Sequence, residues 1–373
     1  MQGQCRERRF VSHGGDIWGF SRKYKVPLEE VLEFSGPINF LGPSPKAVEA
    51  VKQQAKLIKF YPDPNPVEFK AAIAKYVGHG VDEENVVLGD GSIELIYAIT
   101  EILPRGFKAL IPIPSFSEYE KAALRVGSDV TFQQLPDGFA MDNEKIKQAI
   151  TPETKILSIC NPHSPSGRLY SKEEVLELVD FCHRKDVVFS VDENYIEFAD
   201  KGDETTLAGM VKEYENLFVI RSVTKFYGMA GIRLGYGLAS PNMVGKLENV
   251  RLPWSINSLA SCATLAAFGD TEFIENTKRT IAKEREALAK SLGEIESLHV
   301  YPSVTNFLLV KIQDRKTTST KLKEALAKER MLIRDCCTFA GMDDSYFRIT
   351  VRSSKDNQKL VQAIKQVFES SKN

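Results

Sequence analysis

The stretch Arg221-Ser-Val-Thr-Lys-Phe-Tyr-Gly-Met-Ala-Gly-Ile-Arg233 sets one lysine among small hydroxyl residues, with an arginine eight positions further on. Lys225 has Ser222 and Thr224 beside it, and Arg233 follows a turn containing Gly and Ala. A lysine that acts as a nucleophile needs a lowered pKa, which a neighbouring cation or a desolvated pocket supplies. Hydroxyls plus an arginine suit a phosphate dianion better than they suit a carboxylate-lined site. Together they meet the demands of pyridoxal 5'-phosphate (PLP): an amine to condense with its aldehyde and a cup for its phosphate. For this stretch alone a second reading stays open, with Lys225 a solvated loop lysine and Arg233 a surface ion-pair partner.

Other polar positions fall where apolar runs end. Gly89-Asp-Gly91-Ser92-Ile93-Glu94 lies between a strand-like and a helix-like segment. Glycines there let backbone N–H groups and a helix N-terminus approach a phosphate, or they are plain turn punctuation. The third glycine of a dinucleotide fingerprint is replaced by Glu94, and no Walker lysine is present. Phe116 offers either a flat stacking surface or a core ring. Asn161-Pro-His163-Ser164-Pro-Ser166-Gly167 reads as a rigid turn that offers hydrogen bonds.

Asp192, ahead of Glu193-Asn194-Tyr195, ends an apolar strand, where a carboxylate is costly without a cationic partner. A protonated pyridine nitrogen is such a partner, and the aspartate keeps the ring an electron sink. Capping of the next helix is the structural alternative. Arg334 and Arg348 lie fourteen apart near the ends of short strands. As a pair they clamp an anionic substrate; singly, each reads as a surface residue. His13 and Asn39 stand in Gly/Pro-containing segments that no core requires, and are expected to be exposed candidates for binding. A lone histidine there also reads as an ordinary surface residue.

Elements must carry these residues to one place. Strands are expected at 85–89, 108–112, 128–133, 154–159, 187–191 and 217–220. Helices are expected at 45–57, 67–77, 93–103, 117–126, 143–150, 172–185 and 205–213. This alternation predicts an α/β domain, a mostly parallel sheet covered on both faces, with ligands beyond the carboxyl ends of the strands. After Gly235 a helical tract is expected over 241–296, broken near 252–255. Short strands at 298–302, 306–312, 331–334 and 346–352, with helices at 318–329 and 355–370, make an α+β unit. The expected division is 1–45, an irregular arm and part of the small domain; 46–245, the large domain; and 246–373, an inter-domain helix and the small domain.

The 373 residues suit two domains, since single cores stop growing near roughly 250–300 residues. Lys+Arg 49 against Asp+Glu 50 gives no electrostatic case for nucleic acid or an anionic membrane. No stretch approaches the ~20 apolar residues of a membrane span, and the polar start lacks the apolar core of a signal peptide. The six cysteines show no metal-type spacing and read as reduced cytosolic thiols. A cytoplasmic protein without metal, nucleic acid or membrane partner is expected.

With these residues laid out, the chain resembles the fold-type I PLP enzymes of the aspartate aminotransferase superfamily along nearly its whole length. Lys225, Ser222 and Arg233 match that family's spacing, Asp192 and Tyr195 its Asp-x-x-Tyr, and Gly91-Ser92-Ile93 its phosphate loop. The resemblance implies PLP held covalently by Lys225, with Ser222, Thr224 and Arg233 in the phosphate cup. It places Phe116 on the ring face, Asp192 at the ring nitrogen and Tyr195 at O3′. Tyr61 would reach the partner subunit's phosphate, which implies a homodimer with shared active sites. The family's usual Asn-Pro-Asn-Asn-Pro-Thr-Gly is altered here. Ser164 stands where an asparagine contacts O3′, so a shorter serine, Asn161 or a water makes that contact.

Two branches of the superfamily share the two C-terminal arginines: histidinol-phosphate aminotransferases and the threonine-phosphate decarboxylases of cobalamin biosynthesis. The chain looks most like the second. The matches are His13-Gly-Gly, Phe34-Ser-x-x-Ile-Asn39-x-Leu-Gly42, Pro253-Trp-Ser-x-Asn257, Leu332-Ile-Arg334-x-Cys336 and Tyr346-Phe-Arg348-Ile-x-Val-Arg352-Ser. This implies decarboxylation of L-threonine O-3-phosphate to 1-amino-2-propanol O-2-phosphate, with His13, Asn39, Arg334 and Arg348 at the substrate. The arginines are expected to take mainly the phosphate, turning the carboxylate towards His13 and the ring face. A serine-phosphate preference stands beside it, because one methyl changes selectivity by only about 10–200-fold.

Overall fold

Runs such as Phe218-Val219-Ile220 have no polar face to offer water, so their strands have to be covered on both sides. The computed structural model describes residues 13–314 and 316–370; Cys5 and the polar opening segment lie outside them. The first described elements are α1 (Ile17–Tyr24), capped by the Asp16 carboxylate, and the two-residue strand β1 (Leu32–Glu33). An irregular arm was therefore too simple an expectation. Phe20 and its neighbours Ile17 and Tyr24 form an apolar stripe that packs on Val31, Ala327 and Leu332.

Helices α2 (Pro45–Gln54) and α3 (Val67–Val77) lead to β2 (Val86–Gly89). Helix and strand then alternate as expected: α4 (Gly91–Glu101), β3 (Lys108–Ile113), α5 (Ser117–Arg125), β4 (Asp129–Gln134), α6 (Asn143–Ala149), β5 (Thr154–Cys160), α7 (Lys172–Arg184) and β6 (Val188–Asp192). The continuous helix expected at 205–213 is instead a single turn, α8 (Gly202–Thr205), and a 3-10 segment (Ala208–Lys212). Between them, the Glu193 carboxylate accepts from the Thr206 hydroxyl and the Leu207 N–H, which draws the chain out of helical register.

After β7 (Leu217–Ser222), an unexpected strand, β8 (Gly235–Leu238), enters the sheet. Two of its four residues are glycine, which strands disfavour, so composition conceals it. The seven strands run in the order β2-β8-β7-β6-β5-β3-β4, with β8 antiparallel to both its neighbours and the other pairs parallel. Two apolar cores cover the two faces.

The helical tract after β8 breaks twice, into α9 (Pro241–Val250), α10 (Ser258–Phe268) and α11 (Thr271–Gly293). The second break falls at Asp270, whose carboxylate takes the Ser44 hydroxyl and Lys46. Ile256, Ala260, Ala263, Ala267 and Ile281 all belong to the large core, so that core reaches well beyond residue 245. The remainder is β9 (Leu298–Val300), β10 (Phe307–Ile312), α12 (Ser319–Lys328), β11 (Met331–Leu332), β12 (Arg334–Asp335), β13 (Tyr346–Thr350) and α13 (Ser354–Ser370). Four strands form an antiparallel sheet, β12-β13-β10-β9, over a separate core. β1 pairs with β11, tying the start of the chain to this small unit. Among the described residues no helix is long and apolar enough to cross a membrane.

Candidate active site

The expected residues converge at the carboxyl ends of the central strands. Asp192 closes β6, opposite Ile220 of β7, and the chain leaving β7 turns at once into Lys225. Lys225 is half-buried. Burial and the Arg348 charge lower its pKa to about 8, with Asp192 opposing and Arg233 adding to the fall. The expected activation of this lysine thus has both causes, a dry surrounding and nearby cations.

Asp192 is buried, and burial pushes its carboxyl up. It is not a helix cap, since the following 3-10 turn has no side-chain cap. Instead Asp192 Oδ1 accepts from the Asn194 N–H at 2.9 Å and Oδ2 from the Tyr119 hydroxyl at 2.8 Å. Tyr195, one turn on, is enclosed, and burial raises its phenol, while Arg348 and a Ser164 hydrogen bond pull the other way.

The phosphate cup is assembled across one row of the sheet. Gly235 lies opposite Ser222 on one side and Gly89 on the other. A Cβ on Gly235 would sit 2.4 Å from the Ser92 nitrogen, and one on Gly91 would sit 2.3 Å from Arg233 Nη2. Gly91 has φ +69°, in the left-handed region. These positions bring the start of α4 against Arg233. The first amides of α4 receive no cap from the Asp90 side chain; Ser92 Oγ accepts from Asn194 Nδ2 at 2.9 Å. Arg233 Nη2 donates to the Asp90 carbonyl at 3.1 Å, and its Nε lies 3.3 Å from Asp90 Oδ1. Amides of Gly91, Ser92 and Ile93, hydroxyls of Ser92, Ser222 and Thr224, and one guanidinium form a donor set that fits a phosphate dianion. With a carboxylate for a ring nitrogen and an activated amine, the residues fit PLP as a whole.

The small unit supplies the opposite wall. Arg334 and Arg348 are partners in the β12–β13 ladder, and both are buried. Arg348 Nη1 donates to Ser164 Oγ at 3.1 Å, and Nη2 to the Ser35 carbonyl at 3.4 Å. Its guanidinium lies 4.9 Å over the Phe307 ring, which meets Tyr195 edge-on. Arg348 Nε is buried without a hydrogen-bond partner among the described residues. Arg334 Nη2 donates to the Thr338 hydroxyl at 2.8 Å.

Two assignments need correction. Asn161 is turned to the backbone: its Nδ2 donates to the Tyr170 carbonyl and its Oδ1 accepts from the Tyr170 N–H, which ties the strand end to the chain beyond the turn. Asn39 is buried, not exposed. Its Nδ2 donates to the Phe226 carbonyl, its Oδ1 accepts from Leu41 N–H, and its own N–H bonds the Lys225 carbonyl. It holds the Lys225 segment from behind. His163 is turned inwards as well, with Nε2 at 2.9 Å from the Pro114 carbonyl and Nδ1 at 2.7 Å from Ser166 Oγ. Nε2 therefore carries the proton and the Ser166 hydroxyl donates to Nδ1. Burial lowers this imidazole to about 4. It joins the Phe116 loop to the Ser164 loop as a neutral strut.

His13 stands over Phe116, ring centroids 5.4 Å apart, with Nε2 at 2.7 Å from Glu118 Oε1. Glu118 also accepts from Lys121 and from the Tyr97 hydroxyl. Burial pushes this carboxyl up, but these donors, His13 first, bring it down to about 2. Tyr61 stands apart, 83% exposed, with its ring against Trp254. Sequence reasoning passed over Glu118, Tyr119 and the buried pair in which Arg221 Nε and Nη2 both donate to Glu193 Oε2. That pair spans the ends of β6 and β7 directly beside Asp192 and Ser222. Opposite charges on adjacent strand ends were the available clue.

The description aminotransferase class I and II matches residues 32–364. A provisionally named threonine-phosphate decarboxylase of Caldanaerobacter subterraneus subsp. tengcongensis is 35% identical over 96% of this chain and 94% of its own. A histidinol-phosphate aminotransferase of Methanosarcina mazei is 34% identical over 94% and 92%. Among solved structures, the L-threonine-O-3-phosphate decarboxylase from Porphyromonas gingivalis superimposes with TM-score 0.80 at 27% identity, covering 90% of this chain and 99% of that one. Histidinol-phosphate aminotransferase from Sinorhizobium meliloti, in complex with pyridoxal-5'-phosphate, gives TM-score 0.88 at 20% identity, covering 97% and 98%.

Proposed function

The chain belongs to the aminotransferase class I and II family and is a PLP-dependent enzyme, and from that premise we propose that it decarboxylates L-threonine O-3-phosphate. The product is 1-amino-2-propanol O-2-phosphate, a building block for the cobalamin nucleotide loop. The observation that carries the reading is the placement of the polar groups around the site. Two arginines pair on the β12–β13 ladder, and His13 lies against Phe116 with its Nε2 on Glu118. On this reading the phosphate of a substrate with two anionic groups goes to Arg334 and Arg348, two guanidiniums suited to a dianion, and its carboxylate goes to His13.

Bound PLP supplies the electron sink that stabilises the carbanion left when a bond at Cα breaks. Everything else falls to side chains of this chain. Lys225 is the amine that would hold the cofactor and, when free, would be the proton donor to Cα. Asp192 would hold the ring nitrogen, and Tyr195 with Ser164 would donate to O3′. Phe116 would pack on the ring, and Gly91, Ser92, Ile93, Ser222, Thr224 and Arg233 would hold the phosphate of the cofactor. Which bond at Cα would break depends on what holds the substrate carboxylate. An arginine taking the carboxylate would favour loss of the Cα proton and transamination, whereas Arg334 and Arg348 occupied by the substrate phosphate would leave the carboxylate free to depart as CO2.

The enzyme is further proposed to be a homodimer with shared sites. Ile58, Phe60, Tyr61, Leu252 and Trp254 are exposed apolar residues on the segments where Tyr61 meets Trp254. A second copy laid there covers them and presents Tyr61 to its cup. Light scattering of the purified protein tests this, and a monomer at micromolar concentration counts against it.

A transaminase reading retains specific support in the Methanosarcina mazei relative, nearly as similar as the decarboxylase. Incubation with L-threonine O-phosphate, scoring CO2 and keto acid separately, decides between them. CO2 release without 2-oxoglutarate is the expected result. Keto acid formed only with an amino acceptor overturns the decarboxylase reading. L-serine O-phosphate in the same assay measures the preference.

A further inference from the structure

Both oxygens of Asp192 are engaged by the protein's own donors. Asn194 comes with the turn, two residues on. Tyr119 reaches across from α5, 73 positions away, to place its hydroxyl 2.8 Å from Oδ2. Both residues are 5% exposed, and the Tyr119 ring meets Phe116 at 5.8 Å, edge to face. A phenol so enclosed needs an acceptor, and Asp192 is the one it has. A carboxylate has about four lone-pair positions, so two protein donors leave it able to accept a third.

We propose that Tyr119 is a positioning residue: its hydrogen bond keeps the Asp192 carboxylate ionised and aimed, so that the proton shared with the PLP ring nitrogen stays on the nitrogen. The inference rests on the reading of Asp192 as the ring-nitrogen partner. A carboxylate and a pyridine compete for one proton, and their relative basicity decides which holds it. Burial makes Asp192 more basic; unopposed, it draws the proton to the carboxylate and leaves the ring a poorer electron sink. A phenol that donates to the carboxylate stabilises its charged form and opposes that drift. The first turn of α5 therefore serves the site twice, with Phe116 for the ring face and Tyr119 for the far side of Asp192.

Tyr119→Phe keeps the ring and its packing and removes the donor alone. The experiment compares it with Asp192→Asn in the full-length protein, loaded with PLP isotope-labelled at the ring nitrogen. The readouts are the nitrogen chemical shift and the PLP dissociation constant, with circular dichroism as the check on folding. Expected for Tyr119→Phe is a shift from pyridinium towards neutral pyridine and about tenfold weaker PLP binding, within the range for a hydrogen bond to a charged group. Tyr119→para-aminophenylalanine returns an N–H donor to the same place and restores both readouts. Failure to restore them overturns the proposal even where the phenylalanine variant is too unstable to load. If Asp192→Asn changes both readouts and Tyr119→Phe neither, Tyr119 only packs, and the proposal falls while the Asp192 reading stands. If Asp192→Asn changes neither, both fall together.

Discussion

The floor of the site, at the strand ends of the large sheet, and its wall, built by the small unit, treat buried charge in opposite ways. On the floor two buried charges have matched partners: Arg221 lies on Glu193, and Asp192 receives Tyr119 and Asn194. On the wall Arg348 donates to a serine hydroxyl and a carbonyl, beside Arg334 in the ladder. A buried guanidinium among neutral oxygens is poorly compensated until an anion reaches it. The two floor charges are thus paired within the protein, whereas the Arg348 guanidinium gains most from a bound anion. The proposed function assigns chemistry and cofactor affinity to the first, and substrate affinity to the second.

Four expectations sharpen or break that division. Lys225→Ala is the largest: turnover falls roughly 10⁴-fold or more, because the amine that binds the cofactor and moves the proton is gone. Binding of a phosphorylated substrate analogue, read by calorimetry, stays within a few-fold; its loss would erase the boundary between floor and wall. Arg348→Lys acts the other way, losing the planar fork. KM for the phosphorylated substrate rises about 10- to 100-fold, with PLP affinity unchanged in a fluorescence titration.

Third, Lys225 sets a pH dependence for loading the apoprotein. Its pKa of about 8 means that the amine is mostly protonated and unreactive below that value. The initial rate of PLP uptake, followed by absorbance, should rise nearly tenfold per pH unit up to about 8 and level off above it. A rate still climbing steadily past pH 9 would place the lysine in ordinary solvent. The smallest effect is Glu118→Gln. His13 loses a charged partner, so KM rises a few-fold, and kcat and PLP affinity hold. Equal losses in kcat would make Glu118 part of the floor.

The same division explains what could be read from the chain. The floor is carried by strand ends, and an apolar run followed by Lys225, Asp192 or Gly91 announces itself locally. Tyr119 and Glu118 do not, because their partners Asp192 and His13 lie 73 and 105 positions away. Asn39 looked exposed among turn residues, yet its acceptor on Phe226 is 187 positions distant. Asn161 sits in a motif that points to the cofactor, while its amide is committed to Tyr170 nine residues on. Alternating elements were legible from periodicity. β8 was not, since its place depends on the gap between β2 and β7 rather than on its own four residues.

That late strand has a bearing on how the chain matures. Gly235 is the bridge between Ser222 and Gly89, so the two sides of the phosphate cup are neighbours only when β8 has inserted between β7 and β2. A nascent chain that has emerged as far as Lys225 carries the lysine, but neither the strand that completes the cup nor the burial and Arg348 charge that activate its amine. A complete cup for PLP therefore depends on closure of the central sheet, whose last strand in chain order is β8. A ligand that binds only the closed sheet stabilises that state by mass action, so cofactor loading would also report on insertion of β8.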